Sequence, residues 1–125
     1  MNKKVPVSIG EYIDKVTILA IKSSRIKNNE KLRNVLHELN TIVHLDSENI
    51  IDTPLYRDLM NVNKKLWDVE DAIRIKEREE SFGDEFIDLA RSVYKLNDER
   101  SRIKKDINLK YGSNLIEEKS YDDSQ

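Results

Sequence analysis

The residue with the clearest chemical consequence is Arg100, because it interrupts an apolar helical pattern. Apolar side chains recur at alternating spacings of three and four on its face of the helix, at Phe86, Leu89, Val93, Leu96, Ile103 and Ile107. A guanidinium does not lose its proton in a protein, and burying one without a partner costs several kcal/mol. Arg100 therefore requires a carboxylate from another helix, a bound anion or a path to solvent.

Charged and polar residues on neighbouring helices could supply that partner. An antiparallel pairing of the last two predicted helices places Asn63 near Arg100. The same pairing places Glu70 and Asp71 near Arg91, and Asp14 on the first helix could reach this region. One interpretation is a buried ion-pair network that fixes the register of the helices.

A second interpretation is a cationic pocket for a phosphate or carboxylate ligand. Arg91, Arg100 and Lys104 would be its donors, since the planar guanidinium suits both kinds of anion. Trp67 follows the apolar residue Leu66, so its ring either fills the edge of the core or offers a surface on which a ligand ring could stack. The sequence leaves these interpretations open.

Acidic side chains also flank a predicted turn, at Glu77, Glu80, Glu85 and Asp88. Paired carboxylates on facing helices can hold Mg²⁺, but these acids crowd a turn that water can reach, so a solvated charged turn is favoured. His37 and His44 share a helix face without a third ligand at a suitable spacing for zinc. The sequence contains no cysteine and no Gly-rich phosphate loop, so it predicts no metal, no cofactor and no catalytic residue.

Composition restricts the class of protein. The chain has 125 residues, enough for one domain, and 37% of them are charged, with only three glycines and two prolines. A net charge of −2 argues against a dedicated nucleic-acid binder. Residues 1–7 lack the apolar segment of a secretion signal, and no apolar run approaches the roughly 20 residues that span a bilayer. We expect a cytoplasmic protein that does not insert into membranes.

Local signals divide the chain into helices. Ser8 and Glu11 form an S-x-x-E capping box, and Thr53 and Pro54 are typical of an N-cap and first helical residue. Asn28 or Asn29 is expected to cap the second helix and Ser81 or Asp84 the fourth, while Gly112 suits a left-handed helix end. The predicted helices cover about 8–27, 29–46, 53–79 and 83–111. They form a helical domain at 1–112, followed by a tail at 113–125.

Short connections between these helices predict an all-α protein, either an antiparallel four-helix bundle or extended helical hairpins. The basic stretch 22–33 and the acidic stretch 68–88 would then lie at the same end and attract each other. The same charge asymmetry could instead pair two copies head to head. Long apolar seams on so small a chain also predict a homo-oligomer.

Several sequence blocks occur together: VPVSIGE at 5–11, DKVTIL at 14–19, LWDVEDAIR at 66–74, LARSVY at 89–94 and EEKSY at 117–121. In combination they resemble an uncharacterised family of small helical proteins from bacteria and phages, whose members are often encoded among genes for surface-sugar synthesis. The resemblance implies no activity. Its pattern tends to have an acid where this chain has Ala20, so a site that includes that acid is altered here.

The resemblance adds polar residues to the candidate site, because its blocks are rich in charge and extend into the tail. It therefore implies that residues 117–121 pack back on the bundle or reach a partner. The combined set of candidate ligand-binding residues is Glu11, Asp14, Lys15, Lys22, Trp67, Glu70, Asp71, Arg74, Arg91, Asn97, Asp98, Arg100 and Lys104.

The sequence favours a non-enzymatic interaction or assembly protein, in which a buried polar layer sets helix register and partner choice. The alternative is a binder or enzyme that acts on an anionic small molecule, such as a nucleotide or sugar phosphate, through a polar pocket between helices. Metal-dependent nucleotide hydrolysis is a third and weaker interpretation. Binding of a nucleic acid is not expected.

Overall fold

The computed structural model describes residues 1–119, and over that range the chain is all-α, as the sequence predicts. Each α-helix lies inside the range predicted for it. The helices are α1 (Ile9–Arg25), α2 (Asn29–Ile42), which continues into a 3₁₀ turn (Val43–Leu45), α3 (Pro54–Arg78) and α4 (Asp84–Lys110).

Three of the helices begin at the caps that the sequence predicts. The hydroxyl of Ser8 accepts a hydrogen bond from the backbone N–H of Glu11 (3.0 Å), and the side chain of Asn28 caps α2 in the same manner. Thr53 caps α3, and Pro54 occupies the first helical position, where a missing N–H costs nothing. These caps are local, which is why sequence alone locates them.

The ends of α4 follow the sequence less completely. Its N-cap is Gly83, which has no side chain to offer, so the expected cap by Ser81 or Asp84 is wrong. Asp84 is instead the first helical residue, where its charge complements the helix dipole. At the other end Gly112 adopts a φ of 70°, the left-handed conformation predicted for it.

Helix α1 is the centre of the molecule, because it packs against each of the other three α-helices, whereas α2 packs chiefly on α1. The most extensive contact between helices joins the antiparallel helices α3 and α4. The buried apolar core is formed by α1, the N-terminal half of α3, the C-terminal half of α4 and the loop residue Ile50. Its members are Ile13, Val16, Ile50, Tyr56, Leu59, Val62, Ile103 and Ile107.

The start of α1 approaches α4 very closely at Gly10. The backbone N–H of Gly10 donates to Oδ1 of Asn108 (2.6 Å), and both residues are buried. A Cβ at this position would collide with the backbone carbonyl of Lys104. Glycine is therefore required here by the distance between two helices.

The hairpin of α3 and α4 extends beyond the other helices. Arg25, the last residue of α1, pairs with Asp68 on α3 (2.6 Å), and α3 continues for another ten residues, or about 15 Å. We call residues 69–94 the projection. In the described part of the chain, residues 1–119, no helix is long and apolar enough to span a bilayer.

Candidate functional site

A buried polar layer joins α1, α3 and α4. The guanidinium of Arg100 forms a bidentate ion pair with the carboxylate of Asp14, in which Nε donates to Oδ1 (2.9 Å) and Nη2 donates to Oδ2. The amide of Asn63 donates to Oδ1 of Asp14 (2.9 Å) and to the hydroxyl of Thr17 (2.8 Å). Arg100 also reaches Oδ1 of Asn97 (3.4 Å). Arg100 thus finds a carboxylate from another helix, the first of its three possible partners.

The two members of this ion pair differ in their access to water. Asp14 is 1% exposed, whereas 28% of the Arg100 side chain is exposed. The hydrogen bond to Asp14 raises the pKa of Arg100 above its ordinary value, although burial acts in the opposite direction. Among residues 1–119, no buried side-chain nitrogen or oxygen lacks a hydrogen-bond partner. The layer is therefore closed on the side of Asp14 and open on the side of Arg100.

A second ion pair lies one turn further along α4. The ammonium of Lys104 contacts the carboxylate of Glu11 (2.6 Å), and only 16% of the Lys104 side chain is exposed. Glu11 therefore turns towards α4, and the predicted capping box keeps the bond that Ser8 accepts while the Glu11 carboxylate is used elsewhere. This pair joins the start of α1 to α4, beside the close approach of the two helices at Gly10.

A cavity opens above the polar layer, at the base of the projection. Its volume is about 340 Å³, and α1, α3 and α4 all contribute to its wall. We call it the junction cavity. Seven of the residues predicted from sequence line it, namely Lys22, Trp67, Glu70, Asp71, Arg74, Asn97 and Arg100. Apolar side chains of Ile18, Ile21 and Leu66 complete much of the remaining wall.

The trio of cations expected to bind an anion is not brought together. Arg91 is exposed on the projection, nine residues and about 13 Å along α4 from Arg100. Lys104 is held by Glu11 below the polar layer. The cation that joins Arg100 at the junction cavity is instead Lys22, from α1.

The other predicted residues lie on different surfaces. Lys15 pairs with Glu38 of α2 (2.9 Å), and both side chains are about half exposed. Asp98 pairs with Lys119 of the tail (2.6 Å). Neither Lys15 nor Asp98 belongs to the wall of the junction cavity.

Sequence comparison places the chain in a family. Residues 3–124 match a family of unknown function, DUF6165, which covers nearly the whole chain. The chain belongs to this family. No curated protein and no solved structure matches it. The matched range includes α1, α2, α3 and α4, and therefore the residues of the polar layer and of the junction cavity.

The tail of this family member lies against its helices over the described residues. Glu117 accepts a hydrogen bond from the hydroxyl of Ser8 (2.5 Å), and Glu118 pairs with Lys105 of α4 (3.1 Å). The expected return of residues 117–121 is thus observed for 117–119, while 120 and 121 lie outside the described residues. These contacts join the tail to the N-cap of α1 and to α4.

Sequence reasoning missed Thr17 as a member of the polar layer. Its hydroxyl donates to the backbone carbonyl of Asp14 (2.7 Å) and accepts from Asn63. The available signal was its spacing of three from Asp14, which places both on one helix face. The acids near the predicted turn, by contrast, are exposed, and residues 1–119 contain no group of three or more His, Asp or Glu placed to hold a metal ion.

Proposed function

We propose that this chain is a non-enzymatic assembly protein that pairs with a second copy of itself through the projection. The observation that carries the proposal is the apolar surface of the projection. Large apolar side chains there are about half exposed, with Ile75 at 45%, Phe82 at 51%, Ile87 at 49% and Tyr94 at 54%. Large exposed apolar side chains grouped on one helix hairpin favour an interface.

The exposure has a simple geometric cause. The ion pair between Lys76 and Glu85 (2.6 Å) places Ile75 and Ile87 at the same level of the hairpin. Within residues 1–119, two helices are present at that level, because α1 ends at Arg25, beside Asp68. Two helices leave much of their apolar surface in contact with water, whereas two hairpins packed together would form a four-helix coiled coil.

The distribution of charge favours an antiparallel arrangement of the two copies. The end of the projection carries exposed acids that have no ion-pair partner among residues 1–119, and we call them the acidic tip, Glu77, Glu79, Glu80 and Asp84. The base of the projection carries exposed cations that also have no ion-pair partner among residues 1–119. We call these cations the basic turn, and they are Lys27, Lys31 and Arg33. In an antiparallel pair each acidic tip would meet the basic turn of the other copy, which gives a closed two-fold dimer.

The polar layer supports this arrangement from within. The pair of Asp14 and Arg100 fixes α1 against α4, and the hydrogen bond from Asn63 to Asp14 fixes α1 against α3. This register determines that α1 ends beside Asp68 of α3. It therefore also determines where the basic turn lies relative to the projection. The buried ion pair contributes specificity of position here, a role that such pairs have in helical assemblies.

The test is the mass of the protein in solution, by sedimentation velocity and light scattering at several protein and salt concentrations. We expect a dimer that weakens as salt screens the charges at its two ends. Ile87→Glu should yield a monomer, because it places a charge in the apolar surface. Leu109→Glu is the matched control, since Leu109 is 62% exposed on the same helix but outside the projection, and it should remain dimeric.

Charge exchange tests the antiparallel arrangement. A variant with Glu at positions 27, 31 and 33 and another with Lys at positions 77, 79 and 80 should each be monomeric, and an equimolar mixture should recover the dimer. If wild type is monomeric at all concentrations, the proposal of self-assembly is wrong. If wild type is dimeric but the mixture does not recover, the dimer forms through a different surface.

The proposal also includes the origin and the cellular location of the protein. The resemblance noted in the sequence supports an origin in bacteria or their phages, and the composition supports a cytoplasmic location. We assign the protein no reaction, because the polar layer of Asp14, Asn63 and Arg100 holds helices together.

A further inference from the structure

We propose that the junction cavity binds a phosphate monoester that carries a ring, that is, a nucleotide or a sugar phosphate. This inference is independent of the assembly proposed above, since it concerns the interior face of the helix junction. The volume of about 340 Å³ lies at the lower end of the range for ligand pockets. It suits one such molecule and is small for a dinucleotide.

The α1 and α4 side of the cavity is cationic. Lys22 lines it, and within residues 1–119 Lys22 has no carboxylate within ion-pair distance. Arg100 uses two of its five N–H groups on Asp14 and a third on Asn97, which leaves two for a ligand. An ammonium and a guanidinium that converge on one space, with their charge only partly neutralised, favour an anion such as phosphate.

The α3 side of the cavity offers a ring surface. Trp67 lines the cavity, and the guanidinium of Arg25, which does not line it, lies 5.9 Å from the centre of the indole ring. The ring is therefore held in place from outside the cavity. Beside it, Leu66 and Ile18 provide an apolar floor. Stacking of a base on an aromatic side chain contributes about 1–3 kcal/mol, and the faces of sugar rings use the same surface.

The acids of the cavity define where the phosphate cannot lie. Glu70 is partly neutralised by Arg74 (3.7 Å), whereas Asp71 has no cationic partner among residues 1–119. A phosphate close to Asp71 would be repelled, so the phosphate belongs at Lys22 and Arg100. Asp71 can instead accept hydrogen bonds from the hydroxyl groups of a ribose or a hexose. This opposition of a cationic side and an acidic side favours a phosphate monoester over a simple inorganic anion.

The experiment is isothermal titration calorimetry of the full chain with four probes. The probes are adenosine 5′-monophosphate, glucose 1-phosphate, inorganic phosphate and adenosine. We expect one of the two monoesters to bind at least about tenfold more tightly than inorganic phosphate or adenosine, because only a monoester satisfies both the cations and the ring surface. The stronger monoester identifies the class.

Two variants locate the binding, and one serves as a control. Lys22→Met and Trp67→Leu should each weaken binding of the stronger monoester by about tenfold or more. Lys15→Met removes a lysine from the same helix on the side facing α2, and binding should be unchanged. Arg100 is left intact, because it also holds Asp14.

The proposal is overturned by three results. They are equal affinity for inorganic phosphate and both monoesters, no heat from either monoester at millimolar concentration, or binding that both cavity variants leave unchanged. Circular dichroism of each variant verifies that it is folded, so that loss of binding is not read from an unfolded chain. Titration of the Ile87→Glu variant should give the affinity of wild type, which separates binding from assembly.

Discussion

At the scale of single residues, the two members of the central ion pair should respond unequally to substitution. In Arg100→Met the carboxylate of Asp14 stays at a site that is 1% exposed and keeps only the bond from Asn63. We expect a loss of about 3 kcal/mol in the free energy of unfolding, as for other buried charges that lose a partner. In Asp14→Asn the guanidinium can turn towards solvent, so the loss should be smaller. Urea denaturation measures both.

The double variant completes this test. With Asp14→Asn and Arg100→Met together, no unpaired charge is buried, and the combined loss should be well below the sum of the two single losses. Additive losses, or a larger loss for Asp14→Asn than for Arg100→Met, would contradict the asymmetry. Lys15→Met provides the reference for a surface ion pair and should change stability by less than about 1 kcal/mol.

The sequence predicts that Arg100 needs a partner but does not identify which one. An arginine in an apolar seam is visible from periodicity alone, because burial of its charge is costly. The sequence places Glu70 and Asp71 near Arg91 and allows Asp14 to reach Arg100, but the partner depends on which helix covers that face. The pairing of Lys104 with Glu11 is equally invisible in the sequence, because it follows from the close crossing of α1 and α4.

At the scale of helices, a phenol on α1 supplies a hydrogen bond to the end of α2. The hydroxyl of Tyr12 donates to the backbone carbonyl of Ile42 at the end of α2 (2.6 Å). Burial raises the pKa of Tyr12 above its ordinary value of 10.0, and the nearby acids Asp46 and Glu48 raise it further. Because the folded pKa exceeds the unfolded one, the contribution of the neutral phenol is complete below pH 10 and is lost as pH rises through the raised pKa.

Tyr12→Phe isolates this contribution. At pH 8 the variant should lose about 1 kcal/mol in the free energy of unfolding, the typical value of one hydrogen bond. The difference between wild type and variant should shrink at higher pH, since the phenolate cannot donate. Tyr56 also titrates with a raised pKa in both proteins, so it cancels in the comparison. A difference that stays constant from pH 8 to pH 11.5 would contradict this role for Tyr12.

The helices themselves are largely predictable, because their signals are local. The side chains of Ser8, Asn28 and Thr53 cap the helices that the sequence assigns to them. The start of α4 is the exception, since Gly83 has no capping side chain and two polar neighbours competed for the role. A helix start without a side-chain cap leaves no local signal, and its position then depends on the geometry of the turn.

At the scale of the whole molecule, the chain has a base of several helices and a projection of two. The apolar pattern on α3 and α4 continues from the base into the projection, so periodicity cannot reveal where cover by α1 ends. That limit follows from the unequal lengths of the helices, 17 residues in α1 against 25 in α3. It also determines where the junction cavity forms, since the cavity lies where the end of α1 meets the longer hairpin.

This division predicts a gradient of protection from hydrogen exchange. In the monomeric Ile87→Glu variant, amides of residues 69–94 should exchange about tenfold faster than those of 55–66 and 97–108, because fewer buried contacts hold them. In wild type, pairing of two projections should slow the exchange of 69–94 while leaving α1 unchanged. Mass spectrometry of peptic fragments measures both, with Leu109→Glu as the control. Uniform protection along α3 and α4 in the monomeric variant would mean that the projection is as stable as the base. Its exposed apolar surface would then no longer support the proposed dimer.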